Sequence, residues 1–135
     1  MKKILVVLMA STLFFGCADK KGQKKAILDS VLSIHNKVMG TDGELTDNQM
    51  KLDTLIKMQK LSAKDTAFLI RQQLIVADSA MSTWMHNFDV DQKGKSDDET
   101  ITYMRAQKKL LMGIDSQINK AVAESNSYLV KIKKK

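Results

Sequence analysis

Proline is absent from all 135 residues of this chain, and strand-type alternation is nearly absent beyond the first sixteen. A chain without proline and with apolar residues stepping by three and four reads as helix throughout. Aromatic residues are scarce, at 5 %, and no stretch interleaves them with a basic stripe, so nucleic acid is not expected as a partner. There is no His-x-x-x-His pair, no glycine-rich phosphate loop and no cluster of cysteine or histidine, which removes the common metal and nucleotide motifs. Cysteine occurs once, at Cys17.

What precedes that cysteine is informative. Met1-Lys-Lys is followed by an apolar run from Ile4 to Phe15, and Gly16 stands directly before Cys17. A membrane-spanning helix needs roughly 20 apolar residues, so the run is too short to be one. It reads as a secretory signal with a lipoprotein-type cleavage site between Gly16 and Cys17. Cys17 is then the first residue of the mature chain and the site of acylation, which takes its sulfur out of nucleophilic chemistry. Lipoprotein signals usually place Leu at −3 and a small residue at −2, whereas Phe14 and Phe15 stand here. The competing reading is an ordinary secretory signal with a spare thiol. The position after the cysteine is Ala18, not an inner-membrane-retaining Asp. The expected location is the cell envelope, lipid-anchored at the outer membrane and facing the periplasm.

The division that follows is a signal peptide over 1–16, a lipidated basic tether over 17–25, and a helical domain over 26–135. The formal charge of +7 falls to +5 when Lys2 and Lys3 are removed, and the excess is concentrated at two ends. Lys20, Lys21, Lys24 and Lys25 crowd one, and Lys131, Lys133, Lys134 and Lys135 the other; residues 26–130 hold 12 basic against 14 acidic side chains. The first cluster is placed to meet anionic headgroups, at about 1 kcal/mol per lysine, or simply to keep the tether solvated. The second suits a helix C-terminus or contact with an anionic polymer or headgroup.

The first helical stretch carries Ile27, Val31, Ile34 and Val38, then Leu45, Leu52, Leu55 and Ile56. Gly40-Thr-Asp-Gly43 interrupts it, and Thr41 with Glu44 has the form of a capping box that restarts a helix. Either one kinked helix spans about 24–60 or two shorter ones do. A second helix is expected from an N-cap at Ser62, with Asp65 in its first turn and Ala67, Ile70, Leu74, Ala77, Met81, Trp84 and Phe88 along its stripe. Met85 widens that stripe. Asp89–Lys95 is a polar loop containing Gly94. Ser96-Asp-Asp-Glu99 is a full capping box, and the third helix runs through Ile101, Met104, Leu111, Ile114, Ile118, Val122, Leu129 and Ile132. The expected fold is all-α, an up-down-up antiparallel bundle of three long helices, with a four-helix bundle broken at Gly40–Gly43 as the alternative. Three helices put the C-terminal lysines at the end far from the lipid, roughly 50 Å away for a helix of 35 residues.

Ile34-His-Asn-Lys-Val-Met39 with Gly43-Glu-Leu45, Trp84-Met-His-Asn-Phe88, and Tyr103 near the start of the last helix resemble a group of small helical lipoproteins of Bacteroidota. Automatic labelling often names them "viral A-type inclusion protein". That group typically has Asp, Glu and Pro where Asn36, Lys37 and Gly40 stand here. The resemblance covers most of the mature chain and implies a helical lipoprotein with no known activity.

Candidate chemistry is sparse. His35 and His86 lie on different helices beside the apolar stripes, where a hydrogen-bonded, half-buried histidine is the usual outcome. Asp42, Asp78 and Asp115 fall near stripe positions and are expected at solvent-facing edges. Of nine methionines, Met1 and Met9 precede Cys17 and seven remain. Met81, Met85 and His86 could offer soft ligands to Cu(I), but methionine more often fills irregular gaps in helical cores, and Met50 and Met58 fall outside any such group. No cofactor and no catalytic residue are expected. The two functional readings are a membrane-anchored, non-enzymatic binding or scaffolding lipoprotein, whose partner is the bilayer and an envelope protein or anionic polymer, and a soft-metal or small-ligand binder.

Overall fold

The computed structural model describes residues 19–59 and 65–133. The signal segment, Gly16, Cys17, Ser62, Lys134 and Lys135 lie outside them. Three helices make up the described chain: α1 (Lys20–Gln59), α2 (Thr66–Asn87) and α3 (Asp97–Lys133). At 1.5 Å per residue, their 40, 22 and 37 residues give lengths of about 60, 33 and 55 Å.

Each helix buries positions seven apart. In α1 these are Val31, Val38, Leu45 and Leu52; in α2 Ala67, Leu74 and Met81; in α3 Met104, Leu111, Ile118 and Ser125. A second row offset by three, including Ala77 and Trp84 in α2 and Ile114 and Ala121 in α3, completes the packing seam. This is the heptad arrangement that lets helices pack knobs into holes. Contacts fix the directions. Lys20 reaches Asp98, Lys37 reaches Asp115, and Asn48 reaches Ser125 and Asn126. The partner number therefore exceeds the first by 77 or 78 each time, so α1 and α3 run parallel. Helix α2 runs the other way between them: Arg71 pairs with Asp53, and Trp84 lies beside His35. The result is the up-down-up three-helix bundle expected from the sequence.

Several local expectations change. Helix α1 passes through Gly40–Gly43 without a break, so the four-helix alternative is not formed. Both glycines are exposed with no atom within 4 Å of where a Cβ would stand, while the buried row continues from Val38 to Leu45. The cost of about 1 kcal/mol per helical glycine is offset by burial on the opposite face. The Thr41 capping box does not form, and Glu44 instead accepts from Asn126 Nδ2 at 2.8 Å.

Helix α1 also begins earlier than expected, at Lys20, so residues 20–25 are helical and not an extended tether. Asp19 caps it: its Oδ1 accepts the Gly22 N–H at 2.8 Å, and its carbonyl accepts the Gln23 N–H at 2.9 Å. A Cβ at Gly22 would stand 2.2 Å from Asp19 Oδ2, so a larger residue there would require the carboxylate to swing aside.

Helix α2 begins at Thr66, with Asp65 at the N-cap position in extended geometry and its carbonyl bonded to the Leu69 N–H at 3.2 Å. Asp65 thus precedes the first turn in which it was expected. Phe88 lies one residue past the helix as its C-cap, its N–H bonded to Trp84 O at 2.9 Å. The 89–96 connection is shaped by Asp89, whose Oδ1 accepts the N–H groups of Asp91 and Gln92. That holds Gln92 at φ 46°, and Gly94 follows at φ 77°, where glycine is favoured. The capping box at Ser96 is formed as expected. Ser96 N–H donates to Glu99 Oε2 at 2.8 Å, and Glu99 N–H donates to Ser96 Oγ at 3.3 Å.

Candidate functional site

Three of the four lysines at the start of α1 are partnered within the chain. Lys20 bonds Asp98 at 2.8 Å, Lys24 bonds Asp97 at 2.5 Å, and Lys25 bonds Asp29 at 2.8 Å. Two of these join the N-terminal turns of α1 and α3. Cations at a helix N-terminus oppose the dipole, whereas the acids Asp97, Asp98 and Glu99 suit it. Pairing the two sets relieves the first and keeps the second. The Lys24 ammonium holds the Asp97 carboxyl below its ordinary range, and the Asp29 carboxylate raises Lys25. Lys21 is exposed, as are Lys131 and Lys133 in the last turn of α3.

Most of the methionines do not act as core filler. Among the described residues only Met81 and Met104 are buried, while Met39, Met50, Met58, Met85 and Met112 are exposed by 37, 58, 78, 41 and 55 %. Met81 belongs to the core, 4 % exposed, whereas Met85 and His86 face outward. Five residues at 100° each turn the helix about 140° from Met81 to His86, so the three do not share one face. Among the described residues no group of three or more His, Cys, Asp or Glu side chains is placed to hold a metal ion. Of the aspartates, Asp78 is exposed, Asp42 is half-buried, and Asp115 is paired with Lys37 at 2.7 Å.

Two constellations emerge that spacing alone did not reveal. One is a column of rings crossing all three helices: His35 to Trp84 at 6.0 Å between centroids, Trp84 to Phe88 at 4.7 Å, and Phe88 to Tyr103 at 6.2 Å. The Tyr103 hydroxyl ends it by accepting the Asp89 N–H at 2.8 Å. The column ties the α2–α3 connection to the bundle. The Trp84 indole N–H within it is buried with no acceptor, an arrangement that costs about 1–3 kcal/mol.

The other is a buried polar layer between the parallel helices. Asn48, 2 % exposed, donates to Ser125 Oγ at 2.9 Å and to Asn126 Oδ1 at 2.7 Å. Ser125, fully buried, donates in turn to Val122 O at 2.8 Å. Asn48 stands three residues after Leu45, in the offset row of the same seven-residue pattern, which was the signal available in the sequence.

On the outside, a groove runs between α2 and α3. Ala80, Trp84, Ile114 and Ala121 form its floor, and Val76 and Leu110 stand on its walls at 55 and 53 % exposure. No helix among the described residues is long and apolar enough to cross a membrane. Comparisons with protein-family models, curated proteins and solved structures return no match.

Proposed function

We propose that this protein is a lipid-anchored envelope protein whose helical body serves as a non-catalytic spacer and binding surface, held at Cys17 on the outer membrane and facing the periplasm. The observation that carries this reading is the parallel register of α1 and α3. Asp19 caps α1 two residues after Cys17, and the same register takes α3 away from that end for about 55 Å. Lys131 and Lys133 therefore stand at the pole opposite the lipid, available to an envelope protein or an anionic polymer. The lysines nearest the lipid are engaged mainly with Asp97, Asp98 and Asp29. Their part is to fasten the start of the bundle, with headgroup contact secondary.

The test is fractionation and fatty-acid labelling of Cys17→Ser beside deletion of residues 131–135. Loss of label and release from membranes is expected for the first variant. The second should stay on the membrane and lose crosslinks to its envelope partner. Retained label in Cys17→Ser would overturn the anchoring site.

A further inference from the structure

The groove between α2 and α3 differs from the other two boundaries of the bundle in its chemistry. Ion pairs cross from α1 to α3 through Lys20, Lys24 and Lys37, and from α1 to α2 through Arg71 and Asp53. Between residues 72–87 of α2 and α3 no ion pair is found among the described residues. Most of the rim is uncharged, with the amides Gln72, Gln73 and Asn87 and the hydroxyls Ser79 and Thr83 on one side, and Gln107 and Gln117 on the other. The only charges are Lys120 and Glu124 at one end, a neutral pair 3.9 Å apart. In a chain with 27 % charged residues, this face is apolar along its floor and neutral along its edges.

We infer that this groove is the interface through which two copies of the chain associate face to face. A two-fold interface sets a patch against itself, so whatever lines it must tolerate its own image. A charged rim repels its image. Glutamine and asparagine side chains carry a donor and an acceptor on the same group and therefore pair with their own kind. An anionic polymer or headgroup would call for a cluster of cations, whereas the one cation on the groove, Lys120, is offset by Glu124. Val76 and Leu110 are more than half exposed in the single chain, and a second copy seated on the groove would bury both. Gly113 points the same way. It lines the groove, and no atom of the chain lies within 4 Å of where its Cβ would be. Within one chain it brings no close packing, only the helical cost of glycine. Against a second copy it lets a helix approach closely. This inference does not depend on the lipid anchor.

The experiment is sedimentation velocity of the full chain in density-matched detergent across the micromolar range, for the natural sequence, Val76→Glu with Leu110→Glu, and Gly113→Leu. The natural chain should sediment at twice its monomer mass, and the double variant should weaken association by at least about a hundredfold through burial of like charges. Helicity should be unchanged, because both side chains are already largely solvated. If the double variant misfolds, Gly113→Leu decides. It replaces a poor helix former in open space, so folding should hold while the filled groove weakens association about tenfold or more. A natural chain that stays monomeric at the highest concentration overturns the inference. So does a dimer unaffected by the folded variants. Because mass is read independently of the membrane fraction, failure here and failure of the anchoring proposal are told apart.

Discussion

Along its length α3 meets α1 on one side and α2 on the other, and the two boundaries solve packing differently. The α1 side is parallel and dense in specific contacts: ion pairs at Asp97, Asp98 and Asp115, and the Asn48–Ser125–Asn126 layer inside. The α2 side is antiparallel and relies on apolar contact, with Trp84 and Ile114 as its bulk and few directional bonds. Parallel neighbours in one chain have no tight turn to set their register, and their dipoles are aligned unfavourably, so polar contacts must supply both register and charge balance. The α2–α3 pair is joined by a nine-residue connection from Phe88 to Ser96. There, Asp89, Gly94 and the Ser96 box fix the geometry, and the helix faces are left free to be plain. Exposed ion pairs are worth little each, roughly 0.2–1 kcal/mol. Their value on the α1 side is therefore in choosing one alignment and only secondarily in stability.

The sharpest way to separate the two sides is a pair of neighbouring residues. Leu111 is fully buried against α1 and α2, whereas Leu110 stands on the groove wall at 53 % exposure. Leu111→Ala should cost about 3 kcal/mol by leaving a cavity in a closely packed core, measured as a shift of the urea midpoint at constant slope. Leu110→Ala should change folding stability by less than about 0.5 kcal/mol. Equal losses for the two would mean that the groove is covered by the chain itself and that the contrast between the boundaries is false.

The polar layer gives a smaller effect with a more specific readout. Asn48→Ala strands the acceptor groups of Ser125 and Asn126 in or beside the core and should cost about 2 kcal/mol. Replacing both members, Asn48→Leu with Ser125→Ala, should recover or exceed the original stability while loosening register, since buried polar pairs often hold alignment at the expense of stability. Crosslinks between cysteines placed at 20 and 98 in a Cys17→Ser background report the alignment. A double variant that crosslinks as completely as the natural sequence would show that the remaining ion pairs, Lys24–Asp97 and Lys37–Asp115, suffice for register.

These differences also explain what could be read in the sequence. The three helices, the 89–96 loop and the Ser96–Glu99 box were legible because each is local: periodicity, polar run and capping spacing lie within a few residues. Asp19 was missed because its cap sits inside a lysine cluster that reads as a tether, and the charges masked the Asp-x-x-Gly spacing. The pause at Gly40–Gly43 misled for the opposite reason. A local turn signal was overridden by a buried row that continues on the far face through Val38, Leu45 and Leu52. Met85 and Met81 looked alike on the helix stripe, yet one is buried and the other open, because α2 contacts its neighbours on a narrower arc than the stripe implies. The ring column and the groove needed the relative placement of helices, which no spacing within one helix contains.

The least costly perturbation is acid, and it should also fall on one side only. The Ser96 N–H and hydroxyl hold the Glu99 carboxyl below its ordinary 4.5, and Lys24 holds Asp97 below 3.8. A carboxyl whose value is lowered by folding contributes stability that is fully present above its unfolded value. That contribution is lost as pH falls through the folded value. Acidification below about pH 4.5 should therefore loosen the first turn of α3 through Glu99, and below about pH 3.8 its hold on Lys24 through Asp97. The effect should be modest, because both groups are solvent-exposed. The groove wall at Val76, Leu110 and Gln117 has no titrating group beside it except Glu124 at its end, and should not respond in that range. Hydrogen exchange read residue by residue is the measurement. Faster exchange at Glu99 and Thr100 on going from pH 6 to pH 3, after correction for intrinsic rates and with Leu110–Gly113 unchanged, is the expected result. Glu99→Gln should abolish most of that response while keeping one hydrogen-bond acceptor for Ser96. If protection falls equally at both places, the acid lability belongs to the bundle as a whole and not to the α1–α3 boundary.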